Sequence, residues 1–212
     1  MSSTEESNAL ASAYGRLARG LARHAGIRAF RFFRRALDPA TQAKIPAGLE
    51  VHMLGERDVA PLCARAELDL SVEKVAAAFA RGDICAGAYD AGRLVGYCWF
   101  AFTPAPHLDG VWADFHRQGV WIYKSLVLPS HRGRGIAPAL YRFTDAVGLA
   151  RGRNFSICCI ESHNRPSVAA ILRAGYEPAG YAAYLRTGTK VLPVASPAAS
   201  RMAVRFFVPT IK

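Results

Sequence analysis

The sequence predicts an α/β domain in which helices pack on a sheet, and three observations predict it. From residue 49 onward strand-like and helix-like segments follow one another as strand, two helices, three strands, helix, strand, helix, two strands. One of these junctions, Leu126 to Ala137, reads as a strand end, a basic glycine-rich loop and a helix start. The composition, 51% apolar and 20% charged over 212 residues, is that of a chain able to bury a full core.

The N-terminal region is unusual in charge. Residues 1–7 read as disordered. From Ser7 to Leu37 no Asp or Glu occurs, while Arg16, Arg19, Arg23, Arg28, Arg31, Arg34 and Arg35 do. Leu17, Leu21, Phe30, Phe33 and Leu37 recur at steps of three or four within two segments, broken by Gly20 and Gly26. The spacing predicts a basic helical extension of two short amphipathic helices. Asp38-Pro39 ends it, Pro46-Ala-Gly is a linker, and the division expected is 1–47 extension and 48–212 domain. Such a face packs on the domain or a partner, lies on an anionic membrane, or serves as a transit peptide.

Leu49 to Leu54 is the first strand of the domain. A helix follows from Glu56 to Leu68, and Ser71 caps a second, which Gly82 closes. Ile84 to Tyr89 and Leu94 to Phe102 are strands joined by Asp90-Ala-Gly-Arg93, a hairpin signal. Residues 104–118 read as a loop, and Val120 to Leu128 as the next strand. Ile136, Leu140, Phe143, Val147 and Ala150 then share one helical face, with Pro138 in the tolerant first turn. Phe155 to Ile160 is a strand, Arg165 to Ala174 a helix stopped by Gly175, and Tyr181 to Leu185 and Met202 to Val208 the last strands.

The loop Pro129-Ser-His-Arg-Gly-Arg-Gly135 has a physical use. Glycine permits close backbone approach, a helix start offers unbonded N–H groups and a positive dipole end, and arginine suits phosphate oxygens. The segment therefore suggests a diphosphate cradle. It lacks the Gly-Lys-Ser/Thr of a Walker loop and the third glycine of a dinucleotide fingerprint.

Arg132, Gly135 and Ala137 meet the pattern Arg/Gln-x-x-Gly-x-Gly/Ala, after a strand ending Leu126-Val127-Leu128-Pro129. In this the chain resembles the GCN5-related N-acetyltransferases (GNAT). A second motif, Asn164-Arg-Pro-Ser167 running through a helix to Gly175-Tyr176, resembles that family's Asn-x-x-Ser/Ala and Gly-Phe/Tyr. The resemblance covers about residues 49–208. It implies a central mixed, mostly antiparallel sheet flanked by helices, and transfer of an acetyl or other acyl group from CoA to an amine in a ternary complex. It further implies that Leu126, Val127, Leu128, Arg132, Gly133, Arg134, Gly135, Ile136, Ala137, Asn164 and Ser167 bind acetyl-CoA, a co-substrate, with no metal. Asn164 also sits where a helix N-cap belongs.

The chain departs from the family at two catalytic positions. The family's strand carboxylate has no counterpart in Val120-Trp-Ile-Tyr-Lys124. The tyrosine seven residues after the motif Asn is here Ile171. Glu161 is the first candidate base, and the alternative for it is a plain ion pair with an arginine. His163 and His131, then Asp114 and His116, follow. Tyr176, Tyr141 and Ser167 are candidate acids for the leaving thiolate. Trp112, Phe115, Trp121 and Tyr123 suggest an aromatic acceptor pocket, or core packing.

Net charge is +11, and five of 27 basic residues are Lys. An anionic partner or compositional bias accounts for this; zinc-finger, RNA-binding and zipper motifs are absent from the sequence, so nucleic acid is not expected. Five cysteines without a C-x-x-C fit a reducing cytosol. The reading is a cytoplasmic small-molecule N-acyltransferase, with peripheral membrane contact through residues 8–37 and a homodimer both compatible. A protein-amine acetyltransferase and a CoA-binding regulatory module without turnover are the alternatives.

Overall fold

The computed structural model describes residues 2–38 and 45–209, without the side chains of residues 2–11, 23 and 24. Helix α1 (Ser2–Ala25) leads into strand β1 (Ile27–Ala36). Strand β2 (Leu49–Leu54) runs through the single turn α2 (Glu56–Val59) and two 3-10 turns to α3 (Val72–Ala80). Next come β3 (Ile84–Asp90), β4 (Arg93–Ala101), the short β5 (Ala105–Pro106) and β6 (Trp112–Asp114), and β7 (Gly119–Val127). The glycine loop feeds α4 (Ile136–Phe143), which breaks at Thr144 before α5 (Asp145–Ala150). Then follow β8 (Phe155–Glu161), α6 (Arg165–Arg173), β9 (Glu177–Thr187), β10 (Lys190–Ala195), α7 (Pro197–Ser200) and β11 (Arg205–Phe207).

Eight strands form one sheet in the order β10-β9-β1-β8-β7-β4-β3-β2, and β11-β6-β5 form a small second sheet. In the large sheet β7 and β8 are parallel, and every other neighbouring pair is antiparallel. Local chemistry explains the boundaries. Ser71 accepts from the Lys74 amide at the start of α3, and Asn164 from the Ser167 amide at the start of α6. Ala91 and Gly92, both at positive φ, make the tight turn between β3 and β4.

The arginine-rich N-terminal region departs most from expectation. Residues 2–25 form one helix that takes in Ser2 to Ser7, Met1 of the expected 1–7 tail lying outside the described residues, and Gly20 does not break it. The second expected helix is β1, an inner strand between β8 and β9. The separate 1–47 extension therefore does not describe this part of the chain. Inner strands are covered on both faces, so their apolar residues do not simply alternate. Phe30 and Phe32 are buried in the core beneath the small sheet, while Phe33 is buried in the larger core on the other side. The step from Phe30 to Phe33 consequently imitates a helical period. Smaller departures follow the same logic. Residues 104–118 contain β5 and β6, and Met202 to Val208 shrink to a strand of the small sheet. The stretch 190–195 is an edge strand that tolerates Pro193.

Candidate active site

The site originates in an incomplete pairing. β7 and β8 run side by side only from Gly119 opposite Phe155 to Ile122 opposite Cys158. Beyond Ile122 the two strands diverge. A cavity of about 740 Å³ opens there, lined along its length by Tyr123, Ser125, Leu126, Tyr141, Glu161 and Asn164.

The direction of the β7 backbone follows from its other neighbour. Leu128 donates its N–H to Val95 O at 2.9 Å. Alternate residues of an antiparallel pair bond across it, so Leu126 also faces β4, while the amides of Ser125 and Val127 face the gap. Ser125 and Val127 thus both present backbone amides to the gap. The Leu126 side chain lines the cavity, and Leu128 is committed to β4.

At the open end of the gap lies the glycine loop. Gly133 and Gly135 both have φ +80, and Gly135 is the left-handed N-cap of α4. Neither position favours an L side chain. Among the described residues no acceptor meets the amides of Gly133, Arg134 or Gly135. Together with the unbonded first-turn amides of Ile136 and Ala137 they form an exposed, positively polarised rim. Arg132 bonds Val127 O through Nε at 3.2 Å, and Arg134 pairs with Asp90 at 2.7 Å. The arrangement fits a diphosphate at the loop with its thioester arm running into the gap. Asn164 caps α6, as its position predicts, and it lines the cavity with Ser167.

The catalytic candidates separate. Glu161 lines the cavity but is ion-paired with Arg28 of β1, which also holds Asp109 from the segment between β5 and β6. The plain ion pair weighed for Glu161 is therefore present. His163, His131, Asp114 and His116 do not line the cavity; His131 pairs with Asp90 and Asp114 with Arg205. Tyr176 is corrected outright. It is 2% exposed, its hydroxyl donates to Ser156 Oγ at 2.7 Å, and Arg35 stacks over its ring. Tyr141 and Ser125 instead share a hydrogen bond of 2.9 Å inside the cavity, and burial raises the Tyr141 phenol.

The aromatic residues divide likewise. Trp121 is fully buried and stacked on Phe115, so for that pair core packing holds. Tyr123 lines the cavity, as does Trp112 under the Arg81 guanidinium. Arg28, Asp83, His107 and Asp109 were not legible as site residues, because a lone charged or imidazole side chain carries no local pattern. Cys158 lies in the larger core and Cys159 against the smaller, on opposite faces as alternation requires. All five cysteines are free, and burial pushes Cys158 up to about 12.

No curated protein sequence matches the chain significantly. Among solved structures, a GCN5-related N-acetyltransferase from Sphaerobacter thermophilus is 20% identical with a TM-score of 0.52, covering 77% of this chain and 53% of that one. A GCN5-related N-acetyltransferase from Kribbella flavida is 14% identical with a TM-score of 0.51, covering 89% of this chain and 66% of that one. At such identities these likenesses speak for the fold alone, and the chain spans only about half of the first structure. The family model for the acetyltransferase (GNAT) family matches residues 57–176, from α2 through the glycine loop and the parted strands to Tyr176. With that match over more than half its length, the chain belongs to the GNAT acetyltransferase family.

Proposed function

We propose that the protein transfers an acyl group, acetyl foremost, from acyl-CoA to the amine of a small molecule by direct attack while both are bound. One observation carries this reading: the parting of β7 from β8 joins an anion-binding loop at one end to a cavity with charged side chains in its wall at the other. The loop amides hold the diphosphate, and the Val127 amide polarises the thioester carbonyl. Holding both reactants in one cleft supplies much of the rate, since effective molarities reach roughly 10⁵–10⁸ M.

The acceptor end is lined by Asp69, Asp109 and Glu161 together with Lys74, Arg81 and Lys124. Balanced charge around a half-open cavity favours a compact polar amine, such as an amino sugar, over a peptide tail. The Tyr141–Ser125 pair, inside the cavity, takes the role of acid to the leaving sulfur. Its phenol stays protonated because burial disfavours the phenolate. Free thiols throughout support a reducing, cytoplasmic setting.

CoA release from acetyl-CoA, measured over a panel of amino sugars, polyamines and lysine peptides, tests this. Turnover confined to peptides would reassign the acceptor. Tight acetyl-CoA binding without turnover on any amine would favour a regulatory module, the reading that Ile171 and the carboxylate-free β7 motivate.

A further inference from the structure

At Tyr123 the register of β7 slips. Trp99 of β4 faces Lys124 and Phe100 faces Ile122, so Tyr123 is an extra residue with no partner on β4. Pairing with β8 ends at Ile122, one residue earlier. Tyr123 therefore stands at the vertex where the strands part. Bulges of this kind redirect a side chain, and this one places the phenol in the cavity wall with its hydroxyl donating to Asp83 Oδ2 at 3.1 Å.

Asp83 lies just before β3, its side chain wholly buried. Arg81, itself a cavity residue, pairs with Asp83 Oδ2 at 2.7 Å, and among the described residues Asp83 Oδ1 has no hydrogen-bond partner. Arg81 and Tyr123 are the charged and titratable groups that act on this carboxylate among the described residues. A purely structural ion pair would be expected to satisfy both oxygens, because a bare buried acceptor is costly. Here one oxygen is bare and the other is reached from the cavity through a phenol.

We propose that Tyr123 and Asp83 form the outlet for the acceptor's proton, with Tyr123 touching the amine and Asp83 acting through it. This rests on the acyl-transfer reading above. The acceptor enters as an ammonium. Its N–H proton passes to the Tyr123 oxygen as the Tyr123 proton passes to Asp83 Oδ2. The amine is now neutral, Asp83 is a carboxylic acid and Tyr123 is unchanged. Attack forms the C–N bond and breaks the C–S bond, whose electron pair leaves on sulfur. The proton lost by the new amide nitrogen matches the one the thiolate takes up. Asp83 then returns its proton to solvent by the same route. Burial holds the Asp83 carboxyl above the usual range, against the pull of Arg81 and of the Tyr123 hydrogen bond, which suits a transient proton acceptor. Glu161, tied to Arg28, is already committed.

The test compares wild type with Asp83→Asn and Tyr123→Phe, using the best amine of the panel. Both variants are expected to lose tenfold or more in kcat at pH 7, with KM for acetyl-CoA within twofold of wild type. Their deficit should vanish above the acceptor's own pKa, where the amine arrives neutral, and the double variant should be no slower than either single one. Tyr123→Phe keeps the ring in place, so it decides the matter if Asp83→Asn loses its fold. Variant profiles that parallel wild type at every pH overturn the relay alone. A wild-type protein that releases no CoA with any amine overturns the function and the relay with it.

Discussion

Gly135 illustrates what one residue contributes. It holds φ +80 at the first turn of α4, and a Cβ there would meet only Pro46 Cγ at 3.7 Å. A side chain fits but is strained, at roughly 1–2 kcal/mol for a left-handed L residue. Gly135→Ala is expected to lower the melting temperature slightly and keep acetyl-CoA affinity within about tenfold. Gly135→Glu adds a carboxylate at the proposed diphosphate site, and isothermal titration should show affinity reduced at least a hundredfold with the fold retained. Glu161→Gln separates two roles. If Glu161 only helps hold a cationic amine beside Asp109, initial-rate kinetics will show a several-fold higher KM for the amine and an unmoved pH profile. A shifted profile would return the role of base to Glu161.

At the scale of elements, β1 has the largest consequence. It closes the sheet between β8 and β9 and supplies Arg28 to the cavity rim. Phe33 is fully buried, so Phe33→Ala should cost about 3–5 kcal/mol in denaturant unfolding. A chain beginning at Pro46 lacks β1 altogether and should show no cooperative unfolding, whereas one beginning at Gly26 should fold. α1 leaves Tyr14, Leu17 and Leu21 exposed beside Arg16 and Arg19, so any contact with an anionic membrane falls to α1 rather than to residues 27–36. Co-sedimentation with phosphatidylserine vesicles should therefore distinguish the full chain from the one beginning at Gly26. Equal binding of the two would remove α1 from that role. Among the described residues no helix is long and apolar enough to cross a membrane.

The whole molecule couples its stability to pH through His107, which sits in the segment over the cavity against Phe30 and Phe206. Burial first, and then the Arg28 charge, lower His107 to about 3. The unfolded chain takes up this proton near pH 6.5, so between those two values it binds more protons than the folded one. Stability thus rises with pH across the window and is lost as pH falls from about 6.5 towards about 3, by a few kcal/mol. Melting temperatures from pH 7 to 4 should fall accordingly, and His107→Phe should flatten the slope. A slope unchanged in that variant would place the coupling elsewhere.

Much of this protein is local, and the sequence by itself determined it. The glycine loop, the caps at Ser71 and Asn164, the turn at Ala91-Gly92 and the apolar face of α4 each depend on residues a few positions apart. Short-range sterics and hydrogen bonding therefore specify them, and the order of strands and helices around them is legible as well. Tertiary structure alone decided that an arginine-rich segment is an inner strand, because burial on two faces erases the period that would reveal it. It also decided that Tyr176 is sealed in the core while Tyr141 and Tyr123 face the gap. Those outcomes turn on where β7 parts from β8 and on a one-residue slip against β4, and such registers are set by packing between segments distant in the chain.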